Sequence, residues 1–426
     1  MRVLAGTDTS PQDASAAALA WVEQHVPESW RVAALHGGPA AVRGVRTPTE
    51  YRSWYPEFGR SGLAAPMWAT EHGGLGWGRK TARAVEQVLA PYHLPRLNPL
   101  GLNLAAPALF AHGSEAQRRR FLPKIVTAEE IWCQLFSEPG SGSDLASLST
   151  RADRDGEDWV LNGRKIWTTW ADRAHFAVCL ARTNPDLPKH QGITYFLVDM
   201  HQPGVQVHPL RHIGGEVEFF ETTIDGARVP DAHRVGDVGA GWKVAQATLS
   251  GERQMVSGSG SGGVDRIGGT GVSRLIEDAC ARADAALPNS WLDAAVRDRL
   301  VRLWCEEQVR GWTNLRIRER LANNLAPGPE SSIGKVHGAD LNQRIQAAAA
   351  ELLGPAGIAW SGDSDDPDTF AATMPPQVRG MLRSRANTIE GGTTEVNKNV
   401  LAERVLGLPK ETDPWRGKPW RELPRS

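Results

Sequence analysis

The segment GWKVAQATLSGERQMV, residues 241–256, decides how the rest of the chain is read. Trp242, Ala245, Leu249 and Val256 recur at the spacing of one apolar helix face. Glu252 falls in the same series, three residues after Leu249 and four before Val256. A carboxylate on the face that a helix buries is costly unless it is paired, neutralised or used. Two readings stay open from these residues alone: an edge glutamate bonded to Arg253, or an acid held in a dry place for chemistry.

Outward from this helix the hydrophobic period changes. Upstream, from Ile131 to about Gly239, short runs rich in Val, Ile, Thr and aromatics are divided by Asp155-Gly156, Asn162-Gly163 and Asp225-Gly226. Such pairs suit tight hairpins, whose central residues take positive φ. Trp159–Leu161, Lys165–Trp167, Phe176–Val178, Thr194–Val198 and Val217–Phe219 read as strands, with Glu216, Glu218 and Glu221 as a solvated strand face. Downstream the pattern is helical to Gly407. Leu341, Ile345, Ala348 and Leu352 form a second apolar stripe that Gly354-Pro355 ends, and a last helix is expected to bury Val396, Val400, Leu401 and Val405. From Ser10 to Thr127 the chain is also helical, with a cap at Ser10-Pro11 and a capping-box spacing at Ser114–Gln117. The expected fold class is therefore α+β. It has an N-terminal helical domain (1–130), a middle antiparallel β domain (131–239), a C-terminal helical bundle (240–410) and a tail (411–426). The tail reads as an exposed arm or as a contact with a neighbouring subunit.

Composition removes several function classes. Lys plus Arg number 48 against 49 Asp plus Glu, so neither nucleic acid nor an anionic membrane is favoured as partner. The four cysteines, Cys133, Cys179, Cys280 and Cys305, lack metal or redox spacing and fit a reducing cytoplasm. No signal peptide opens the sequence, and the most apolar long stretch, Val88–Phe110, is broken by His93, Arg96 and prolines, so no membrane span is expected. The scattered histidines, including His208 and His212, show no ligand spacing, and no metal is expected. The 16 tryptophans have no functional reading as a group.

Three segments carry chemistry. Phe136-Ser137-Glu138-Pro139-Gly140-Ser141-Gly142-Ser143-Asp144 follows a strand, and its small residues let backbone N–H and hydroxyl groups approach a ligand. Trp167-Thr168-Thr169 ends a strand and suits a flat heterocycle, with an indole to stack and a hydroxyl to bond its edge. Ile389-Glu390-Gly391-Gly392-Thr393-Thr394-Glu395 precedes the last helix, where N–H groups suit a carbonyl oxygen gaining charge or a phosphate. Taken singly, each also reads as a plain turn or as core packing. A GxGxxG match at Gly258, Gly260 and Gly263 follows a helix rather than a strand, so it does not read as a dinucleotide fingerprint.

In order and wording these segments resemble the acyl-CoA dehydrogenase family from about Gly62 to Lys410. The specific parts are WCQLFSEPGSGSDLA (132–146), GRKIWTTWA (163–171), GITYFLVDM (192–200), GWKVAQATLSGER (241–253) and IEGGTTEVNKNVLAERVLGLP (389–409). The wording is similar to that of actinobacterial subunits of steroid and fatty-acid catabolism, some of them hetero-oligomers of two related chains. The resemblance implies N-terminal helices, a middle β-barrel-like domain and a C-terminal four-helix bundle, with FAD between barrel and bundle. It implies that Phe136, Ser137, Gly142 and Ser143 meet the flavin, that Ser143 also meets the acyl-CoA, that Trp167 and Thr168 pack on the flavin, and that Thr169 bonds near its N5. Arg297 would reach a neighbouring subunit's FAD, and Gly354, Gly357, Thr393 and Glu395 would hold the rest of the cofactor. Arg253 and Gly391 would contact the substrate.

The family places its base either just before the Gly-Thr pair of the final loop, here Gly391, or before the Arg of a bundle helix, here Glu252. The resemblance thus assigns Glu252 the α-proton, the Gly391 N–H the thioester carbonyl, and Glu390 the place of runner-up base. It implies a trans-2-enoyl-CoA product and electron-transfer flavoprotein as acceptor. The chain departs from the family where Arg-x-x-Phe-Gly is replaced by Arg297-Asp298-Arg299-Leu300-Val301, and in the glycine-serine run 257–271, expected as a bend that widens the acyl cavity. A flavin oxidase or monooxygenase on the same fold, or a subunit completing a partner's FAD site, are the alternatives.

Overall fold

The structure is a computed structural model that describes residues 2–3, 6–256, 271–285, 294–323, 325, 330–358 and 373–424. Side chains within 250–256, among them Glu252 and Arg253, lie outside that description, as does the run 257–270 with its GxGxxG match.

The N-terminal layer comprises α1 (Pro11–His25), α2 (Glu28–Val45), α3 (Pro48–Ser61), α4 (Arg79–Leu89), α5 (Ala106–His112) and α6 (Glu115–Val126), of which α1, α3 and α6 start on side-chain caps. Ser10 accepts from the Asp13 N–H at 3.1 Å, as the Ser-Pro start suggests. The capping box before α6 forms in full, Ser114 N donating to Gln117 Oε1 at 2.9 Å and Gln117 N to Ser114 Oγ at 3.2 Å. The Gln117 amide also reaches outside the helix. Its Nε2 donates to the carbonyls of Ala232 and Arg234 at 2.7 and 2.8 Å, tying this layer to the end of the β domain.

The β domain comprises β1 (Trp132–Leu135), β2 (Arg151–Asp155), β3 (Asp158–Thr169), β4 (Phe176–Arg182), β5 (Ile193–Asp199), β6 (Val205–Arg211), β7 (Val217–Pro230) and β8 (Arg234–Val235). The sheet runs β6-β7-β3-β2-β4-β5-β8, with β1 added beside β4. Pairing is antiparallel except that β1 lies parallel to β4, and β2 touches β4 through the single parallel pair Arg151–Arg182. Of the three expected hairpin turns only Asp155-Gly156 is one; it joins β2 to β3, with Gly156 at φ 61°. Asn162-Gly163 sits inside β3 and Asp225-Gly226 inside β7, facing each other across a register shift. Gly163 is needed for close approach, because a Cβ there would lie 2.3 Å from Thr150 Oγ1. The Glu216–Glu221 face is not free either. Glu216 pairs with Arg379 at 3.0 Å, Glu218 with Arg383 at 3.1 Å and Glu221 with Arg164 at 3.4 Å.

The C-terminal helices are α7 (Gly241–Val256), α8 (Val272–Ala285), α9 (Ala294–Ala322), α10 (Glu330–Glu351), α11 (Pro376–Ser384) and α12 (Thr394–Arg404). Leu341, Ile345 and Ala348 of α10 are buried against Leu275 and Leu303, as the stripe requires. In α12 the expectation fails: Val396 and Val405 are 39% and 45% exposed, and the residue it buries is Asn397. α7 is different in kind. Its Val244 and Ala245, with Trp242 and Leu249 partly buried, join a single core with Leu109, Phe121 and Leu122 of the helical layer and Tyr195 and Leu197 of the sheet. The tail is exposed over 411–418, as an arm would be, and its last turn folds back onto the β domain of its own chain: Trp420 N donates to Leu187 O at 2.9 Å. Among the described residues, no helix is long and apolar enough to cross a membrane, and no His/Cys/Asp/Glu cluster could hold a metal.

Candidate active site

The loop after β1 is fixed by a buried ion pair. The backbones of Glu138 and Ser141 bond each other at 2.9 and 3.0 Å and close a turn over Pro139-Gly140. The Glu138 carboxylate, 6% exposed, accepts from Ser149 N, Ser149 Oγ and Thr150 N at 2.7–2.9 Å. It also meets Lys165 Nζ at 2.8 Å. Lys165 is fully buried and gives its other two protons to the carbonyls of Phe136 and Leu180 at 3.0 and 2.8 Å. Every donor of the ammonium is therefore used, the condition under which a buried pair is tolerated. Burial alone would raise the Glu138 pKa; the Lys165 charge and the hydrogen bonds outweigh it and bring it down to about 2. Sequence reasoning passed over both residues. The available signal was strand parity, since Lys165 shares the inward face of β3 with Trp159 and Leu161.

One residue on, Ile166 N donates to Ser137 O at 2.9 Å, which seats the loop beside the strand end. The ladder to β7 then skips between Lys165 and Thr168, and Trp167 occupies the skipped place with φ 62°. A bulky residue in the left-handed region is strained by about 1–3 kcal/mol and persists only where the surroundings impose it. The bulge turns the indole outward: it is 53% exposed, with only its flank against Phe219 at 5.7 Å. Beside it the Thr168 hydroxyl is buried with no hydrogen-bond partner among the described residues, and Thr169 is half-buried at the strand end. An open indole face, an unsatisfied hydroxyl and a glycine-serine loop fit a flat heterocycle with polar edges, so the residues present are compatible with a flavin.

From Phe219 the contacts lead to the last loop. The Arg383 guanidinium lies 5.5 Å from the Phe219 ring and bridges Glu218 and Glu390, each at 3.1 Å. Glu390 accepts a further bond from Asn387 Nδ2 at 3.1 Å. The runner-up base is thus held by two donors. Gly391 and Gly392 follow at φ 66° and 87°, a pair of left-handed positions that glycine takes without strain. The Gly391 N–H makes no hydrogen bond within the described residues. Thr393 is used as the N-cap of α12, accepting from Val396 N at 3.2 Å.

α7 enters through a polar chain in an otherwise apolar core. Tyr195 OH and Thr248 Oγ1 are 2.9 Å apart, and Thr248 donates to Leu104 O at 3.2 Å in a single π-turn, Gly101–Ala105. Tyr195 also packs edge-on against Phe136 at 6.1 Å. Glu252 is one helical turn beyond Thr248 in this helix.

These contacts bring Phe136, Ser137, Trp167, Thr168, Thr169, Glu390 and Gly391 into one connected cluster. Gly142 and Ser143 are exposed at the loop tip, next to Asp144, which Lys189 holds at 2.9 Å. The remaining expected cofactor residues are not gathered here. Arg297 is exposed on α9, Gly354 and Gly357 form the turn after α10, and Glu395 is exposed on the first turn of α12. Leu300, three residues past Arg297, packs into the bundle core.

Comparison with known proteins agrees with this layout. Family profiles match in order: acyl-CoA dehydrogenase N-terminal domain at 32–129, middle domain at 133–223 and C-terminal domain at 239–406. The chain is 36% identical over 397 residues to acyl-CoA dehydrogenase IpdE1 of Mycobacterium tuberculosis, covering 90% of this chain and 96% of that protein. It is 38% identical over 350 residues to acyl-CoA dehydrogenase FadE34 of the same organism, covering 82% of this chain but only 45% of FadE34. Among solved structures it superposes on the steroid acyl-CoA dehydrogenase Tcur3481-Tcur3483 with TM-score 0.69 at 27% identity, covering 94% of this chain and 98% of that one. On the ChsE4-ChsE5 complex of Mycobacterium tuberculosis the TM-score is 0.68 at 26% identity, covering 96% of this chain and all of that one. With all three domains matched in sequence and the fold matched over nearly the whole length, the chain belongs to the acyl-CoA dehydrogenase family.

Proposed function

We propose that this enzyme converts an acyl-CoA thioester to its trans-2-enoyl-CoA, with Glu252 as the base that removes the α-proton. The observation that carries the reading is the bulge at Trp167: a strained indole with an open face, beside an unsatisfied Thr168 hydroxyl and a loop locked by Glu138 and Lys165. FAD, held against Trp167 and Thr169 between β domain and bundle, would supply the acceptor for the hydride that leaves the β-carbon. Phe136, Ser137, Gly142 and Ser143 would line its edge, and Arg297, Gly354, Gly357, Thr393 and Glu395 would complete the cofactor site in an assembled oligomer.

The chain's own residues then divide the work. The Gly391 N–H, on a loop whose glycines take positive φ, donates to the thioester oxygen as enolate charge develops. Ser143 and Arg253 bind the CoA thioester. Glu252 follows Thr248 by one turn along α7; to serve as base it would need the raised pKa that removal from water gives a carboxyl. Glu390 is less suited, because Arg383 and Asn387 already occupy its oxygens.

A steroid or other bulky acyl group, with electron-transfer flavoprotein as electron acceptor, is the substrate class we favour, since the Tcur3481-Tcur3483 structure is named as a steroid acyl-CoA dehydrogenase. Association with a second chain, identical or related, is supported by α9. Val301, Trp304, Trp312 and Leu315 leave 53%, 45%, 66% and 44% of their surface in water there, a stripe expected to seek a partner. The test is anaerobic titration of the FAD-loaded protein with butyryl-CoA, palmitoyl-CoA and a steroid-carboxyl-CoA. Bleaching of the flavin, greatest with the steroid thioester, is expected; no bleaching by any of the three would overturn the activity.

A further inference from the structure

The tail after Lys410 makes contacts that the reaction, as proposed, does not use. Residues 411–418 are exposed, and the chain then reaches the β domain through Pro419–Leu423. Pro419 forms a bridge with Pro188, Trp420 N donates to Leu187 O at 2.9 Å and Arg421 N to Pro185 O at 3.1 Å. The indole of Trp420 lies 4.3 Å from the Arg182 guanidinium, and its Nε1 donates to Ser147 O at 3.2 Å. Arg182 is 2% exposed, and three of its five N–H groups donate to the carbonyls of Leu148 at 3.0 Å, Lys189 at 3.1 Å and Ala146 at 2.7 Å. Trp420 and the cation beneath it therefore bind the carbonyls of residues 146, 147 and 148, directly after the loop that carries Gly142 and Ser143. The rest of that loop is tied to the same place. Asp144 is held by Lys189 at 2.9 Å and by Ser147 Oγ at 2.5 Å, and Ser141 Oγ donates to Asp144 O at 2.7 Å.

We propose that the carboxy-terminal arm is a strap in which Trp420, through Arg182, acts as a positioning residue for the acyl-CoA-facing loop 142–149. The inference rests on the reading that this loop meets the thioester. The exposed tip Gly142-Ser143-Asp144 has little stiffness of its own, while Ala146 and Leu148 behind it are buried in the core, and ordering the tip on each binding event costs affinity. Glu138 pins the loop where it leaves β1 and again at Ser149, and the strap pins the stretch between. The Arg182–Trp420 contact, largely removed from water, joins the burial of Ala146 and Leu148 in fixing the base on which that tip stands.

The experiment compares the FAD-loaded parent with Trp420→Ala, Trp420→Phe and a chain ending at Lys410, using whichever of the three acyl-CoAs bleaches the parent most. Trp420→Ala and the shortened chain are expected to raise KM about tenfold with kcat within about twofold and an unchanged flavin spectrum. Trp420→Phe, which keeps a ring over Arg182, should recover most of the loss. Limited digestion with a low-specificity protease should cut the two weakened forms between residues 142 and 149 and spare the parent. Unchanged KM in Trp420→Ala, or kcat, flavin content and melting temperature falling together with no recovery in Trp420→Phe, would overturn the strap. If no acyl-CoA bleaches the parent, the activity fails on its own, and the digestion still decides: absence of new cleavage in Trp420→Ala overturns the inference.

Discussion

Trp167 shows how a single residue ties strain to use. Its left-handed backbone is paid for by the paired strands around it, and what it gains is an indole aimed at open space. Trp167→Gly should therefore raise or leave unchanged the unfolding free energy of the flavin-free chain, by up to about 1 kcal/mol, while FAD dissociates faster. A simple core residue would lose stability in both forms. Lys165 supplies the opposite case. Lys165→Met leaves the Glu138 carboxylate buried without its direct ion-pair partner and should cost roughly 3–5 kcal/mol, read as a lowered denaturation midpoint. The pH dependence has a definite sign. Glu138 is held down to about 2, so its contribution is fully present above its ordinary value near 4.5 and is lost as pH falls through that interval. Melting scans between pH 6 and pH 2, on the order of that window, should show a smaller acid-induced drop in Lys165→Met than in the parent.

At the level of elements, α7 and β5 are registered by one polar chain. Thr248→Val removes the partner of a fully buried Tyr195 hydroxyl and should cost about 1–3 kcal/mol, with activity falling further than stability if the helix shifts. Arg383 does the same for α11, β7 and the glycine loop. Arg383→Gln should lower kcat about 10- to 100-fold at nearly unchanged flavin content, because the Gly391 N–H that we propose as donor would lose its register with the substrate oxygen. Much of this layout was legible in the sequence. The apolar period gave α7 and α10, the Ser114–Gln117 box gave the start of α6, and the change of period at Ile131 gave the β domain. Asp225-Gly226 differs from the hairpin reading because positive φ, 70° at Gly226, serves a bulge as well as a hairpin, and Asn162-Gly163 because Gly163 is there for close approach to Thr150; only the opposing strand tells these apart. The arginine partners of Glu216 and Glu218 lie more than 160 residues away, as the Arg379 contact shows, beyond any local pattern. Trp420 was equally hidden, since an isolated indole in a polar tail has no period at all.

Across the whole molecule, one core joins helical layer, sheet and α7, while the bundle carries a separate core and an uncovered apolar stripe. That asymmetry expects a neighbour. Trp312→Glu should shift the protein toward its monomer in sedimentation velocity and weaken FAD retention together, if the outlying cofactor residues are completed across subunits. Where the α-proton goes is tested most directly by rapid anaerobic mixing of FAD-loaded Glu252→Gln and Glu390→Gln with the best acyl-CoA. Glu252→Gln is expected to keep its flavin and fail to bleach, while Glu390→Gln still bleaches. Bleaching retained in Glu252→Gln and lost in Glu390→Gln would contradict the assignment of the base.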